Sequence, residues 1–301
     1  MILDQLSEAY GYKFDSYHLL RDWIGQVYLV KSGSERYILK IFRKQYSSAA
    51  RQSASVMNYL YEKGFAVPAI MKTLSGECFF LTAADSCIAV LYEYIEGTEP
   101  DRNLNLKVIG QVSGQMRKIM ENYPGELSRM DEKFYIGRYL SLLSEMEFPG
   151  VEQFHEYGVR LWDRVKDNYT GFCHGDFHTG NMLMKNNKIN IFDFDSCGIA
   201  YPMYDIATLC DETNYFSLED SNFENGIIKT KENVVEFLCG YNQYYCLKEN
   251  EIRSLYDYIA LRHYDIQATI IDCRGLNSVD NDFLADQYRW LIKWEAACDK
   301  I

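Results

Sequence analysis

Cys173-His174-Gly175-Asp176-Phe177-His178-Thr179-Gly180-Asn181, followed twelve residues after its Asn by Asp193 in Ile191-Phe192-Asp193-Phe194-Asp195, decides the reading of this chain. The pattern has the division of labour that phosphoryl transfer requires. One carboxylate orients an attacking hydroxyl, while an amide oxygen and a second carboxylate hold the Mg²⁺ that neutralises a triphosphate. Asp176, Asn181 and Asp193 can supply these three groups.

Working outward, Met182–Lys185 and Lys188–Phe192 form two short apolar runs joined by Asn186-Asn187, and so predict a hairpin that carries Asp193 at its end. The first ninety-odd residues read as mostly strand with one helix. Trp23–Val30 and Arg36–Phe42 are rich in β-branched and aromatic residues, and Lys31-Ser32-Gly33-Ser34-Glu35 between them has turn chemistry, which predicts an antiparallel pair. Ala50, Ala54, Met57, Leu60 and Tyr61 recur with a helical period over Ser47–Gly64, where Gly64 is placed as the stop. Cys78–Thr82 and Ile88–Ile95 are expected to be strands.

From Asn103 the pattern turns helical, with helices expected over Leu104–Glu121 and Val151–Tyr169 and again from Pro202 onward. The expected architecture is therefore α+β in two lobes: a β-rich lobe over residues 1–95 and a helical lobe over 96–301. Glu96-Gly97-Thr98-Glu99-Pro100 is the expected junction.

Composition narrows the class. A chain of 301 residues with 48% hydrophobic and 25% charged content is long enough for a large core and too apolar for disorder. The net charge of −12 argues against nucleic-acid binding, whose footprint is a basic stripe. No apolar run approaches the roughly 20 residues needed to span a bilayer, and the first residues lack a basic segment followed by an apolar one. A cytosolic protein without a membrane partner is expected. Nine cysteines with no CxxC pair predict neither a zinc site nor a disulfide framework.

A β-rich lobe followed by a helical lobe carrying HGDFHTGN, IFDFD and then Tyr204-Asp205-Ile206-Ala207 resembles the aminoglycoside phosphotransferase and choline kinase family of the protein-kinase-like fold. The resemblance covers nearly the whole chain. It implies Asp176 as the catalytic carboxylate and Asn181 and Asp193 as Mg²⁺ ligands. His174, Asp195 and Asp205 would be supporting residues. For Asp205, a cap at the start of a helix is an equal alternative.

The same resemblance implies that Lys40, in the strand Tyr37–Phe42, contacts the α and β phosphates, with Gly25 in the nucleotide-covering turn. Backbone groups of Glu93, Tyr94 and Ile95 would take the nucleotide base. ATP is the expected donor, and these residues leave GTP open. Acceptor contacts are expected among Tyr241, Arg262, His263 and Asp265. Two departures from the family pattern stand out. Arg51–Asn58 offers Lys40 no helix Glu, so Gln52, a Ser or an acid from elsewhere must take that place. Met116-Arg117 replaces a common Leu-His and is given no catalytic role.

Other readings compete. His174 and His178 could be ligands of a metallohydrolase, although His18, His155 and His263 fall in no ligand pattern. A nucleotide-binding regulatory protein would suit the missing helix Glu, and a Ser/Thr protein kinase would share the fold. Finally, no Lys or Arg occurs between Lys188 and Lys229, where Asp193, Asp195, Asp205, Asp211, Glu212, Glu219, Asp220 and Glu224 lie. If Tyr215–Asn225 borders the cleft, such a field favours a cationic substrate: an amino sugar, an amino alcohol or an amino acid such as homoserine.

Overall fold

A computed structural model describes residues 2–23, 25–213 and 223–298. It resolves into two compact units, each discontinuous in sequence. The first gathers Met1–Asp101, Lys118–Leu127 and Thr179–Cys197, and the second Arg102–Arg117, Ser128–His178 and Gly198–Ile301.

The first unit is built on an antiparallel sheet of β1 (Ser16–Asp22), β2 (Gly25–Ser32), β3 (Glu35–Phe42), β4 (Phe80–Leu81) and β5 (Ile88–Glu93), in the spatial order β1-β2-β3-β5-β4. The expected antiparallel pair is present as β2 and β3, closed by a two-residue turn in which Gly33 takes φ +59°. Side chains alternate across the sheet. Val30, Leu39, Ala89 and Leu91 therefore share one face, where they bury Leu6 and Tyr10 of α1 (Ile2–Tyr10) and Phe14. Helix α1 is an addition, because the sequence reading placed a single helix before residue 95. Lys40 pairs with Val27 and Val90, one step out of register with that apolar set, and so points from the opposite face.

The single expected helix is α2 (Ser47–Glu62), which buries Ala50, Ala54, Met57 and Leu60 and ends before Gly64 at φ +75°. Tyr61, counted on the apolar face, is instead exposed. The hairpin of β7 (Met182–Lys185) and β8 (Lys188–Ile191) forms as expected. Asn186 and Asn187 both take positive φ, 51° and 62°, as a type I′ turn requires. It joins the unit through backbone bonds between Thr98 and Met184 and from Ile191 N–H to the Ala66 carbonyl.

The second unit is helical: α3 (Arg102–Met120, ending in the first unit), α4 (Arg138–Glu145), α5 (Val151–Val165), α6 (Pro202–Cys210), α7 (Phe223–Tyr241), α8 (Glu249–Arg274) and α9 (Asn281–Cys298). A small pair, β6 (Gly171–Cys173) and β9 (Gly198–Ala200), brackets the HGD sequence. Helix α8 runs through the middle and packs on α4, α5, α6 and α9. Much of the tyrosine content is spent on this core, where Tyr135, Tyr139, Tyr157, Tyr204, Tyr258 and Tyr264 are fully buried. A buried phenol usually finds a partner for its hydroxyl; Tyr264 donates to the Phe154 carbonyl at 2.7 Å.

Helices α3 and α7 cross with their backbones in contact. A methyl on Gly240 would overlap the Lys107 carbonyl oxygen, and one on Gly110 would overlap that of Phe237. Gly240→Ala is therefore expected to cost about 1–3 kcal/mol by overpacking, read as a lowered midpoint in urea unfolding. An unchanged midpoint would mean that the two helices can separate without loss.

Candidate functional site

In the first unit the charged groups gather at Asp193. This residue takes φ +65°, a left-handed conformation that Asp tolerates better than most side chains, and it leads into a tight turn over Phe194–Ser196. The reversal brings Asp193 and Asp195 to the same cation. Lys40 Nζ donates to Asp193 Oδ1 at 2.6 Å and to Asp195 Oδ2 at 2.5 Å. From β1, Arg21 Nη2 takes the other oxygen, Asp193 Oδ2, at 2.9 Å.

The electrostatics follow from this sharing. Burial pushes the Asp193 carboxyl up, but Lys40 and then Arg21 outweigh it and hold the group down, to about 2. Burial raises Asp195, and the neighbouring Asp193 charge adds to the rise beyond what Lys40 offsets. Lys40 itself is raised: burial opposes its charge, and the two carboxylates more than restore it.

The missing helix Glu is accounted for here. Helix α2 turns Ser53 and Gln52 toward the same segment. Ser53 Oγ donates to Asp195 Oδ1 at 3.3 Å, and Gln52 Nε2 donates to the Cys197 carbonyl at 2.6 Å. The acid that pairs with Lys40 thus comes from the chain after Asp193, and the helix supplies a hydroxyl that holds the acid.

Asn181 is buried in the turn Thr179–Asn181, and its carbonyl accepts the Phe192 N–H at 3.1 Å, which places it beside the residue preceding Asp193. One amide oxygen and one or two carboxylates form a hard, incomplete donor set. Among the described residues, no cluster of three or more His, Cys, Asp or Glu could hold a metal. Mg²⁺ commonly uses such a set, taking its remaining ligands from phosphates and water.

Gly25 opens β2 opposite Phe42, and a Cβ there would sit 2.7 Å from the Ile41 carbonyl oxygen. Close strand contact is reason enough for that glycine. Glu93 ends β5 with its N–H on the Ala69 carbonyl, and Tyr94 and Ile95 follow outside any strand. Glu93, Tyr94 and Ile95 line a cavity of about 980 Å³ together with Arg36, Val67 and Asn190; Lys40, Asn181 and Asp193 are not among its walls.

In the second unit the HGD sequence is shaped by Asp205. Asp205 lies in the first turn of α6, which begins with Pro202, and its two carboxylate oxygens accept the N–H groups of His174 (2.7 Å) and Gly175 (2.9 Å). Gly175 has φ +83°, where a side chain would be strained. Burial pushes the Asp205 carboxyl up, to about 7, against the two N–H donors. His174 is fully buried, with Nδ1 3.4 Å from the Asp176 N–H.

Asp176 then emerges with its side chain 43% exposed. His178 Nε2 lies 3.3 Å from its Oδ2, and Arg262 Nη2 lies 3.6 Å from its Oδ1. Burial works to raise this carboxyl, but His178, Arg262 and His174 together hold it well below the usual carboxylate range. Arg262 is itself held by Thr208, to which its Nη1 donates at 2.9 Å.

Of the four residues expected at an acceptor pocket, the structure brings Arg262 to Asp176. Asp265 is one layer back, engaged by Arg138 at 2.5 Å and by the Tyr204 hydroxyl. Tyr241 and His263 need correction. Tyr241 is buried against Arg117, and His263 is fully buried and stacked on Trp290 at 4.0 Å, where burial lowers its imidazole to about 3. Both belong to the core, and the short aromatic and polar run on each helix gave no sign of which face was inward.

Within the acidic stretch, the described acids from Asp193 to Glu212 are engaged locally. Asp193 and Asp195 face Lys40, Asp205 holds backbone, Asp211 bonds Thr213, and Glu212 pairs with Arg102. Glu219, Asp220 and most of Tyr215–Asn225 lie outside the described residues. The sequence reading missed Arg21 and Thr208 and left His178 without a role. Only the last stood in a visible pattern.

Residues 18–233 match the model of the phosphotransferase enzyme family. The chain belongs to that family. An amicoumacin kinase of Bacillus subtilis (strain 168) is 24% identical over 304 residues, covering 93% of this chain and 87% of that protein. The solved structure of amicoumacin kinase hAmiN in complex with AMP-PNP, Ca²⁺ and Ami superposes with a TM-score of 0.76 at 21% identity, over 99% of this chain and 93% of the other. A microcompartment-associated aminopropanol kinase superposes with a TM-score of 0.70 at 17% identity, over 99% and 96%. The expected kinase-like architecture and phosphotransferase class are therefore those of this chain. No helix among the described residues is long and apolar enough to cross a membrane.

Proposed function

We infer that this phosphotransferase uses Mg²⁺ and ATP to phosphorylate a hydroxyl of a small amine-bearing compound: an amino alcohol, an aminoglycoside or a hydroxylated amino acid. The observation that carries the reading is the placement of Asp176, a half-exposed carboxylate with His178 beside one oxygen and the Arg262 guanidinium beside the other. Such a group accepts a hydrogen bond and is a poor proton store. That suits phosphoryl transfer, where a loose transition state needs an aligned hydroxyl more than a strong base. Asp205 holds the loop, His178 and Arg262 flank the carboxylate, and Lys40 supplies a cation for phosphates.

Asn181 and Asp193 would hold the Mg²⁺, which supplies charge neutralisation on the phosphates. The backbone at Glu93, Tyr94 and Ile95 would take the base, leaving ATP and GTP as alternatives. Residues 1–95, joined by Thr179–Cys197 with its Asn181 and Asp193, are read as the nucleotide lobe, and the helical remainder of 96–301 as the lobe of Asp176 and the acceptor. Nine free thiols suit a reducing cytoplasm. The amine rests on the net charge of −12 and on the amino alcohol in a relative's name. The regulatory alternative loses its motive, because Asp195 gives Lys40 the acid that α2 lacks.

A coupled assay of ADP or GDP release across amino alcohols, amino acids, sugars and aminoglycosides tests this. Turnover is expected on amine-bearing hydroxyl compounds and not on their matched neutral analogues. Equal turnover on neutral polyols would remove the amine, and transfer to protein alone would replace the acceptor class.

A further inference from the structure

Strand β1 carries a bulge that changes which residue faces Asp193. Leu19 pairs with Tyr28, and the next pair is Arg21 with Val27, so Leu20 is skipped. Directly opposed residues in an antiparallel sheet share a face, and a shift of one residue turns a strand's side chains over. Val27 in turn opposes Lys40. The bulge therefore sets Arg21, Val27 and Lys40 in one row across three strands, whereas unbroken pairing would place Leu20 in the row and turn Arg21 away. The ends of the row are cations about 10 Å apart at the backbone, two strand spacings, and both side chains converge on Asp193.

We propose that Arg21 is a second phosphate-binding cation, one that rests on Asp193 and transfers to the terminal phosphates of a bound nucleoside triphosphate. The two cations differ in mobility. Lys40 is 9% exposed and held by two acids, whereas the Arg21 side chain is 54% exposed and bonds Asp193 through one nitrogen. A planar guanidinium matches two phosphate oxygens as well as it matches a carboxylate. The turn between β1 and β2 lacks the several glycines whose N–H groups elsewhere surround phosphates, and a side chain from the strand beside it fills that need. A Mg²⁺ held by Asp193 would compete with Arg21 for that carboxylate and would repel the guanidinium charge.

The inference rests on the phosphotransfer reading and is tested by nucleotide affinity, without turnover. Titrations with fluorescent ribose-labelled ATP and AMP in Mg²⁺ are compared for the parent, Arg21→Ala and Arg21→Lys. Arg21→Ala should weaken ATP binding by about ten- to a hundred-fold, the range for a lost charge-assisted hydrogen bond. AMP binding should be unchanged, and Arg21→Lys should fall between. ATP affinity equal to the parent in both variants, or equal losses for ATP and AMP, would overturn the assignment. Failure of the parent itself to bind ATP would instead overturn the phosphotransfer reading on which it rests.

Discussion

Asp176→Asn is expected to lower turnover by about 10²–10⁴-fold, the range for loss of a positioned acid–base group, while Mg-ATP affinity stays near the parent's. The amide keeps the shape and one acceptor oxygen but removes the charge that His178 and Arg262 face. The hydroxyl is then aligned less firmly, and the guanidinium lies beside a neutral group. Because Lys40, Asn181 and Asp193 belong to the other compact unit, the nucleotide contacts assigned to them should survive. Steady-state kinetics alongside an ATP titration separates the two effects. Undiminished phosphorylation would remove Asp176 from the chemistry, and a parallel loss of ATP binding would point to a disordered loop.

The second large effect is expected at Asp205. Its carboxylate is the acceptor for two neighbouring N–H groups in a buried setting, those of His174 and Gly175. Asp205→Ala strands both donors, at about 1–3 kcal/mol each, so a loss of about 2–6 kcal/mol in unfolding free energy is expected together with loss of turnover. Asp205→Asn keeps one acceptor oxygen and should lose about half as much. A stability within about 0.5 kcal/mol of the parent for the alanine variant, the ordinary scatter of surface changes, would mean that other groups satisfy the loop. Helix capping alone, the rival role for this acid, predicts a loss nearer 1 kcal/mol.

The sequence made some of this legible because the constraint was local. Asn186-Asn187 can be read as a hairpin turn because two adjacent positive φ values leave few residue choices. His174 to Asn181 can be read because three chemical roles sit in one loop. Strand β1 could not be found by alternation, since all its residues are exposed. The partner of Lys40 was out of reach for a different reason: Asp195 meets it only because Asp193 adopts a left-handed conformation and the chain reverses. Tyr241 and His263 show the converse error. In α8 every residue from Ser254 to Tyr264 except Asp257 is buried, so the stretch that holds His263 gives no polar face from which to infer a pocket.

The discontinuity of the first unit bears on how the chain is made. Residues up to Asp101 carry its sheet, yet the hairpin that bonds Ala66 and Thr98, and the two acids that neutralise Lys40, arrive only with Thr179–Cys197. On the ribosome, a nascent chain halted before residue 179 would hold the five strands without their closing segment. Limited proteolysis of stalled chains should therefore find the amino-terminal sheet labile until residue 197 has left the exit tunnel.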